Sequence, residues 1–220
     1  MQPGTITALE IQKRDKERVN VYLDGEFAFG LPLIEAAQLH KGQHLSLDEI
    51  NTLKHKDTVQ RAVDRAVRLL ARRPYSATEI RRNLQKHDTP ETVVDIAIDR
   101  LTSLGYLDDR AFAQYWLENR DTFKPRGPIA LRHELRQKGI ANGIIDEVLE
   151  SLDVQQAAYR AAQSKTRAMQ GKTRHTFEQK VGSFLQRRGF TYATCREVLD
   201  QLAADLVEEN PEFFAEDSSQ

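Results

Sequence analysis

One apolar pattern is written three times along this chain at an interval of about 50 residues, and it decides most of what the chain can fold into. Aligned on Leu84, Leu135 and Leu185, the copies carry Ile80, Leu131 and Val181 four positions earlier. Ten positions later come Val94, Ile145 and Cys195, and thirteen later Ala97, Val148 and Val198. Ile98, Leu149 and Leu199 follow at fourteen, and Leu101, Leu152 and Leu202 at seventeen, with no gap in any copy. Residues three and four apart share a helix face, so each copy encodes two amphipathic helices joined by a turn. The turns are legible as well. Gly139-Ile140 and Gly189-Phe190 pair a glycine that can take positive φ with an apolar residue, the signature of a Schellman stop. Copy one has Asp88-Thr89 there, a less ideal turn, followed by Pro90 as a helix-starting residue. Ser76-Ala77-Thr78-Glu79 reads as a capping box, and a further amphipathic stretch precedes each pair at Val59–Leu70, Ala111–Leu117 and Val154–Met169. The pattern predicts three tandem three-helix repeats.

Ahead of the repeats the period changes. Ile6–Ile11 and Val19–Leu23 alternate as half-buried strands, Asp24-Gly25 is a hairpin turn, and Glu26–Gly30 returns as a third strand. Short helices are expected over Pro32–Leu39 and Leu45–Leu53. The expected organisation is thus a small N-terminal three-stranded extension with short helices (1–56), repeats over 57–107, 108–153 and 154–207, and an acidic tail (208–220). The fold class is mainly α, an elongated curved rod: with 30% charged and 40% hydrophobic residues, much surface per residue is expected rather than one thick core.

The net charge of −1 conceals a strong segregation. Residues 54–138 hold eighteen Lys/Arg against twelve Asp/Glu, and residues 160–196 hold nine against one. Residues 197–220 carry acids and no Lys or Arg, and the tail from Glu208 to Gln220 reads as a frayed end. The basic blocks would attract a polyanion, since Lys and Arg neutralise phosphates and release counterions. Candidate contacts sit on the second helix of each repeat, off the buried row: Arg81, Arg82 and Lys86; Arg132, Arg136 and Lys138; Lys180, Arg187 and Arg188. Arg72 and Arg73 precede the first of these helices, and Lys124 and Arg126 the second. Trp116, Tyr115 and Phe112 are expected to fill space between repeats one and two, whereas Tyr75 and Tyr106 are candidates for surface use.

Enzymatic chemistry finds no footing. The helix-capping Asp108-Asp109 point apart as a carboxylate pair, and His40 and His44 lack a third ligand. Metalloprotease, phosphate-loop and nucleophile-elbow motifs are absent from the sequence. Cys195, alone of its kind, forms no internal disulfide and stands on the apolar row as a core residue. No apolar run approaches the roughly 18–20 residues that cross a bilayer, and Met1-Gln2-Pro3-Gly4-Thr5 lacks the features of a signal peptide. The expectation is a cytoplasmic, monomeric protein that is not an enzyme, with no metal, no cofactor and no membrane partner.

The order and spacing of several motifs carry a resemblance. Arg72-Arg73-Pro74-Tyr75-Ser76…Glu79-Ile80…Leu84, Gly105-Tyr106-Leu107-Asp108-Asp109…Phe112-Ala113 and Lys124-Pro125-Arg126-Gly127-Pro128-Ile129…Lys138-Gly139-Ile140 resemble bacterial RecX regulatory proteins. Phe177…Leu185-Gln186-Arg187-Arg188-Gly189-Phe190 is a looser match. The resemblance implies a negative regulator of RecA that lies along the groove of the RecA–single-stranded-DNA filament. It implies inhibition of recombinase, ATPase and co-protease activities, and so modulation of DNA repair and the SOS response. The partners implied are the RecA filament and single-stranded DNA, with weak duplex binding. The alternative is a DNA-binding regulator with helix-turn-helix-like repeats. Acids on the would-be recognition helices (Glu91, Asp95 and Asp99; Asp146, Glu147 and Glu150) weigh against it, because phosphates would repel them; the third copy, with Tyr192, Thr194 and Arg196, fits better.

Overall fold

The computed structural model describes residues 2–216. The chain divides into two compact units, Met1–Leu107 and Asp108–Gln220.

In the first unit, strands β1 (Gly4–Ile11), β2 (Arg18–Leu23) and β3 (Glu26–Pro32) form an antiparallel meander. Asp24 and Gly25 both take positive φ in the β2–β3 turn, as the hairpin dipeptide requires. A two-residue β4 (His44–Leu45) pairs with the start of β1, so the sheet has four strands in the order β3-β2-β1-β4 rather than three. A single turn of helix, α1 (Leu33–Ala36), follows β3.

Helix α2 (Leu47–Leu70) corrects a second expectation. Its 24 residues merge the short helix expected at Leu45–Leu53 with the leading helix of repeat one. The charged residues Lys54-His55-Lys56-Asp57 fall between the two expected helices. No glycine or proline interrupts them, however, and Asp57 is held by Arg18 of β2 at 2.7 Å and by Arg61 at 2.8 Å. The near end of α2 gives Ile50 to the core under the sheet; the far end gives Val59, Ala62, Val63 and Ala66 to the core of repeat one. That second core is completed by α3 (Ala77–Gln85) and α4 (Glu91–Ser103), whose Ile80, Leu84, Val94, Ala97 and Leu101 are fully buried. Ser76 and Glu79 close the capping box, and Asp88 takes a φ of 56° in the turn where the other copies have glycine.

The second unit holds repeats two and three. Repeat two is α5 (Asp109–Phe123), α6 (Pro128–Gln137) and α7 (Asn142–Glu150), with Leu131, Leu135 and Ile145 at its centre. Phe112 is buried in this same core and Trp116 packs against it, the rings 5.9 Å apart, so they serve repeat two itself and not a space between repeats. Repeat three is α8 (Val154–Thr166), α9 (Arg174–Arg187) and α10 (Tyr192–Glu209), with one 3-10 turn at Arg167–Met169. Cys195 is buried on its apolar row, as expected from the alignment, and burial pushes its thiol pKa up.

The described part of the tail is folded. Gly171 N–H donates to the Phe213 carbonyl (2.9 Å), Ala215 N–H donates to that of Lys172 (3.1 Å), and Phe214 meets Phe177 edge-on at 5.4 Å. Two aromatic residues outweigh the acids around them; residues 217–220 of the expected tail lie outside the described residues.

Candidate polyanion and partner surface

The turn between α5 and α6 positions the densest basic cluster. Lys124-Pro125-Arg126-Gly127-Pro128 cannot continue α5 through its prolines, and it folds against the α9–α10 turn of repeat three. Gly127 N–H donates to the Arg188 carbonyl (2.9 Å) and Ile129 N–H to that of Gly189 (3.3 Å). The backbones approach so closely that a Cβ on Gly127 would stand 2.2 Å from the Gly189 oxygen. Arg126 and Arg188 are thereby brought to the same place.

Glu134 of α6 is the anchor there. Its side chain is only 13% exposed, and it accepts from Arg120 Nε at 2.7 Å, Arg126 at 2.8 Å and the Trp116 indole N–H at 2.7 Å. Arg120 and Lys138 lie over the Trp116 ring at 4.4 and 4.7 Å, while Lys165 and Arg188 lie against Phe184 at 4.8 and 4.9 Å. Burial lowers the pKa of Arg188, with the charges of Arg126 and Arg120 adding to it. Five cations therefore gather around one carboxylate and two aromatic faces, and the Nε of Arg126 is buried with no hydrogen bond among the described residues. Such a cluster is a charge excess held in partly dehydrated surroundings, where an incoming anion gains more than it would in open water.

The other candidate residues separate into two groups. Several are occupied within their own repeat. Arg73 makes a two-pronged bond to Glu79 (3.2 Å each) and covers the Tyr75 ring at 3.6 Å; burial opposes its charge, but Glu79 raises its pKa overall. Tyr75 is thus a shelf for Arg73, whereas Tyr106 stays exposed. Arg81 bridges to Asp95 (2.7 Å) and Glu91 (2.5 Å), which raise its pKa. Arg132 bridges to Asp146 in the same way, and Arg136 bonds Asn142 at 2.9 Å. The bonds of Arg81, Arg132 and Arg136 are laces between the second and third helices of their repeats. Arg81 and Arg132 thereby pair Glu91, Asp95 and Asp146 of the helices that a helix-turn-helix reader would turn to DNA.

Arg72, Lys86, Lys124, Lys180 and Arg187 are exposed, and their side chains make no hydrogen bond or ion pair among the described residues. They are the freely available charges. Arg82 is exposed too, but it is engaged with a neighbour and does not belong with them. Sequence reasoning missed Arg120, Glu134 and Lys165. The spacing of Trp116 and Arg120, four apart on one helix face, was a usable signal; the convergence of Lys165 was not visible in any local pattern.

Four family models match in chain order: the RecX N-terminal domain over residues 4–46, and the first, second and third RecX three-helix domains over 62–101, 108–149 and 153–199. A regulatory protein RecX from Bacillus velezensis is 30% identical over 202 residues, covering 89% of this chain and 76% of its own. The chain belongs to the RecX family. A RecX from Chlorobium phaeobacteroides is 39% identical over 143 residues, 65% of this chain and 94% of its own. A crystal structure titled regulatory protein RecX superposes with a TM-score of 0.74 at 29% identity, covering 90% of this chain and 99% of that one. That of RecX from Lactobacillus salivarius, at 18% identity, gives 0.61 over 68% of this chain and 99% of its own, and shares the fold. The family is one of regulatory proteins, and no helix of the described residues is long and apolar enough to cross a membrane.

Proposed function

We propose that this RecX-family protein is a negative regulator of RecA. It binds along the groove of the RecA–single-stranded-DNA filament and lowers its recombinase, ATPase and co-protease activities, so tempering DNA repair and the SOS response. It acts as a monomer in the bacterial cytoplasm, without catalysis of its own. The observation that carries the reading is the Arg120–Arg126–Arg188 cluster at the join of two repeats, in a chain whose family is regulatory. Tandem repeats offer several similar small surfaces to a repeating partner, and the cluster supplies the charge that a DNA-containing partner attracts. Charge alone gives weak, salt-sensitive, sequence-blind binding. Tightness must therefore come from protein–protein contact along the filament, with Arg72, Lys86, Lys124, Lys180 and Arg187 as supplements.

The test is RecA's DNA-dependent ATPase titrated with this protein, alongside cosedimentation with the filament. ATP turnover falls as the protein approaches stoichiometry with RecA, and Arg126→Gln/Arg188→Gln shifts the midpoint upward by about tenfold, the equivalent of ~1.4 kcal/mol. Unchanged ATPase and no cosedimentation at excess would defeat the proposal.

A further inference from the structure

The third repeat departs from the other two at the positions that lace their helices together. Three residues before the aligning leucine stand Arg81 and Arg132; repeat three has Gly182. Eleven after it stand their partners Asp95 and Asp146; repeat three has Arg196. The second lace is also missing. Gln85 bonds Glu91 and Arg136 bonds Asn142, whereas Gln186 and Tyr192, in the same positions, make no side-chain hydrogen bond among the described residues. Between α9 and α10 this leaves an open groove of about 400 Å³. Gln179, Ser183 and Gln186 line one wall, Arg196 and Tyr192 the other, and Leu199 the apolar floor. Arg196 is exposed and its guanidinium has no partner among the described residues; Tyr192 is 71% exposed.

We infer that this groove is a docking site for a carboxylate side chain carried on an acidic segment of a protein partner. The first two repeats show what the site lacks. There, a long side chain from the second helix fills the groove and pairs with an opposite charge on the third. In repeat three the filling side chain is deleted and the charge is reversed, so the missing member is an acid supplied from outside. A charge-assisted bond to a guanidinium over an apolar floor is worth roughly twice a neutral one. Glu178 and Asp200 border the same groove, bonded to Arg174 at 2.9 and 3.5 Å. A nucleic-acid strand carries its charges on the backbone itself and would set them against these two acids; a carboxylate at the end of a flexible side chain reaches Arg196 past them. The inference goes beyond the proposed function, because it holds whatever protein presents the acid.

Fluorescence anisotropy of labelled hexaglutamate and of a short labelled oligothymidylate, each titrated with the full chain, tests it. Arg196→Gln weakens hexaglutamate binding about tenfold and leaves oligothymidylate within about twofold. Gly182→Arg/Arg196→Asp, which rebuilds the lace of the other repeats, does the same while preserving the melting temperature. Lys172→Gln removes an equal charge from the same basic block outside the groove and changes hexaglutamate binding by less than about twofold. The inference is overturned if hexaglutamate does not bind the unmodified chain, or if Lys172→Gln costs as much as Arg196→Gln. A loss of oligothymidylate affinity matching that of the peptide would assign the groove to phosphate and overturn it equally. Failure of RecA cosedimentation leaves these readings intact, so the two proposals fail separately.

Discussion

At the scale of single residues, the chain spends its glycines for two different reasons. Gly105 and Gly189 both end a helix with positive φ, at 74° and 86°. A Cβ on Gly105 would meet nothing within 4 Å, whereas one on Gly189 would lie 2.4 Å from the Ala130 nitrogen and 2.5 Å from its Cβ. The backbone penalty of about 1 kcal/mol is common to both sites. Only Gly189 adds the collision, against backbone that cannot swing aside, and overpacking of that kind costs a further ~1–3 kcal/mol. Gly189→Ala is therefore expected to lower stability in urea by that margin more than Gly105→Ala does. Equal losses would mean that the first turn of α6, around Ala130, yields freely. The sequence shows the helix-stop role of Gly189 through Phe190 after it. It does not show the close approach to Gly127, because that depends on a neighbour far away along the chain.

At the scale of elements, pairs of helices are pinned by a few polar bonds above the apolar row. Tyr159 of α8 donates to Asp205 of α10 at 2.7 Å, and that bond, with burial and the Asp205 charge adding to it, raises its pKa from 10.0 to about 12. The protonated phenol is the form the fold favours, so this contribution is whole below pH 10 and fades as pH rises through about 12. In a spectrophotometric titration of the folded chain, one of the six tyrosines ionises late, at about pH 12, and Tyr159→Phe removes that late component. A titration with no late component would show the bond to be absent in solution. Elements of the repeats were legible because their apolar positions recur at helical spacing in all three copies, down to Cys195 standing where Val94 and Ile145 stand. Polar laces were not, since their partners lie on different helices and the third copy exchanges both. Strand β4 escaped for the opposite reason: two residues carry no period, and only pairing with Gly4 and Thr5 makes them a strand.

At the scale of the whole molecule, the N-terminal sheet and repeat one share a single helix, and its middle carries a buried ion pair. The Asp57 and Arg18 side chains are 11% and 14% exposed. On one side of Asp57, α2 serves the core of the sheet through Ile50; on the other it serves repeat one through Val59 and Val63. Because one rigid element belongs to both cores, loss of either should loosen the other, which is why the sheet and repeat one form one compact unit. Asp57→Ala strands Arg18 without its acid, and breaking a pair of this kind from one side costs about 3–5 kcal/mol. Arg18→Met costs less, because Asp57 keeps Arg61 at 2.8 Å and the methionine brings no unpaired charge. Hydrogen exchange on the full chain is the deciding measurement. With Asp57→Ala, protection falls together in β2, α2, α3 and α4 while α5 to α10 keep theirs. A loss confined to β2 and the first turns of α2 would show that the helix does not couple its two cores. Repeat one would then be an independent folding unit, as the boundary expected between residues 56 and 57 implied.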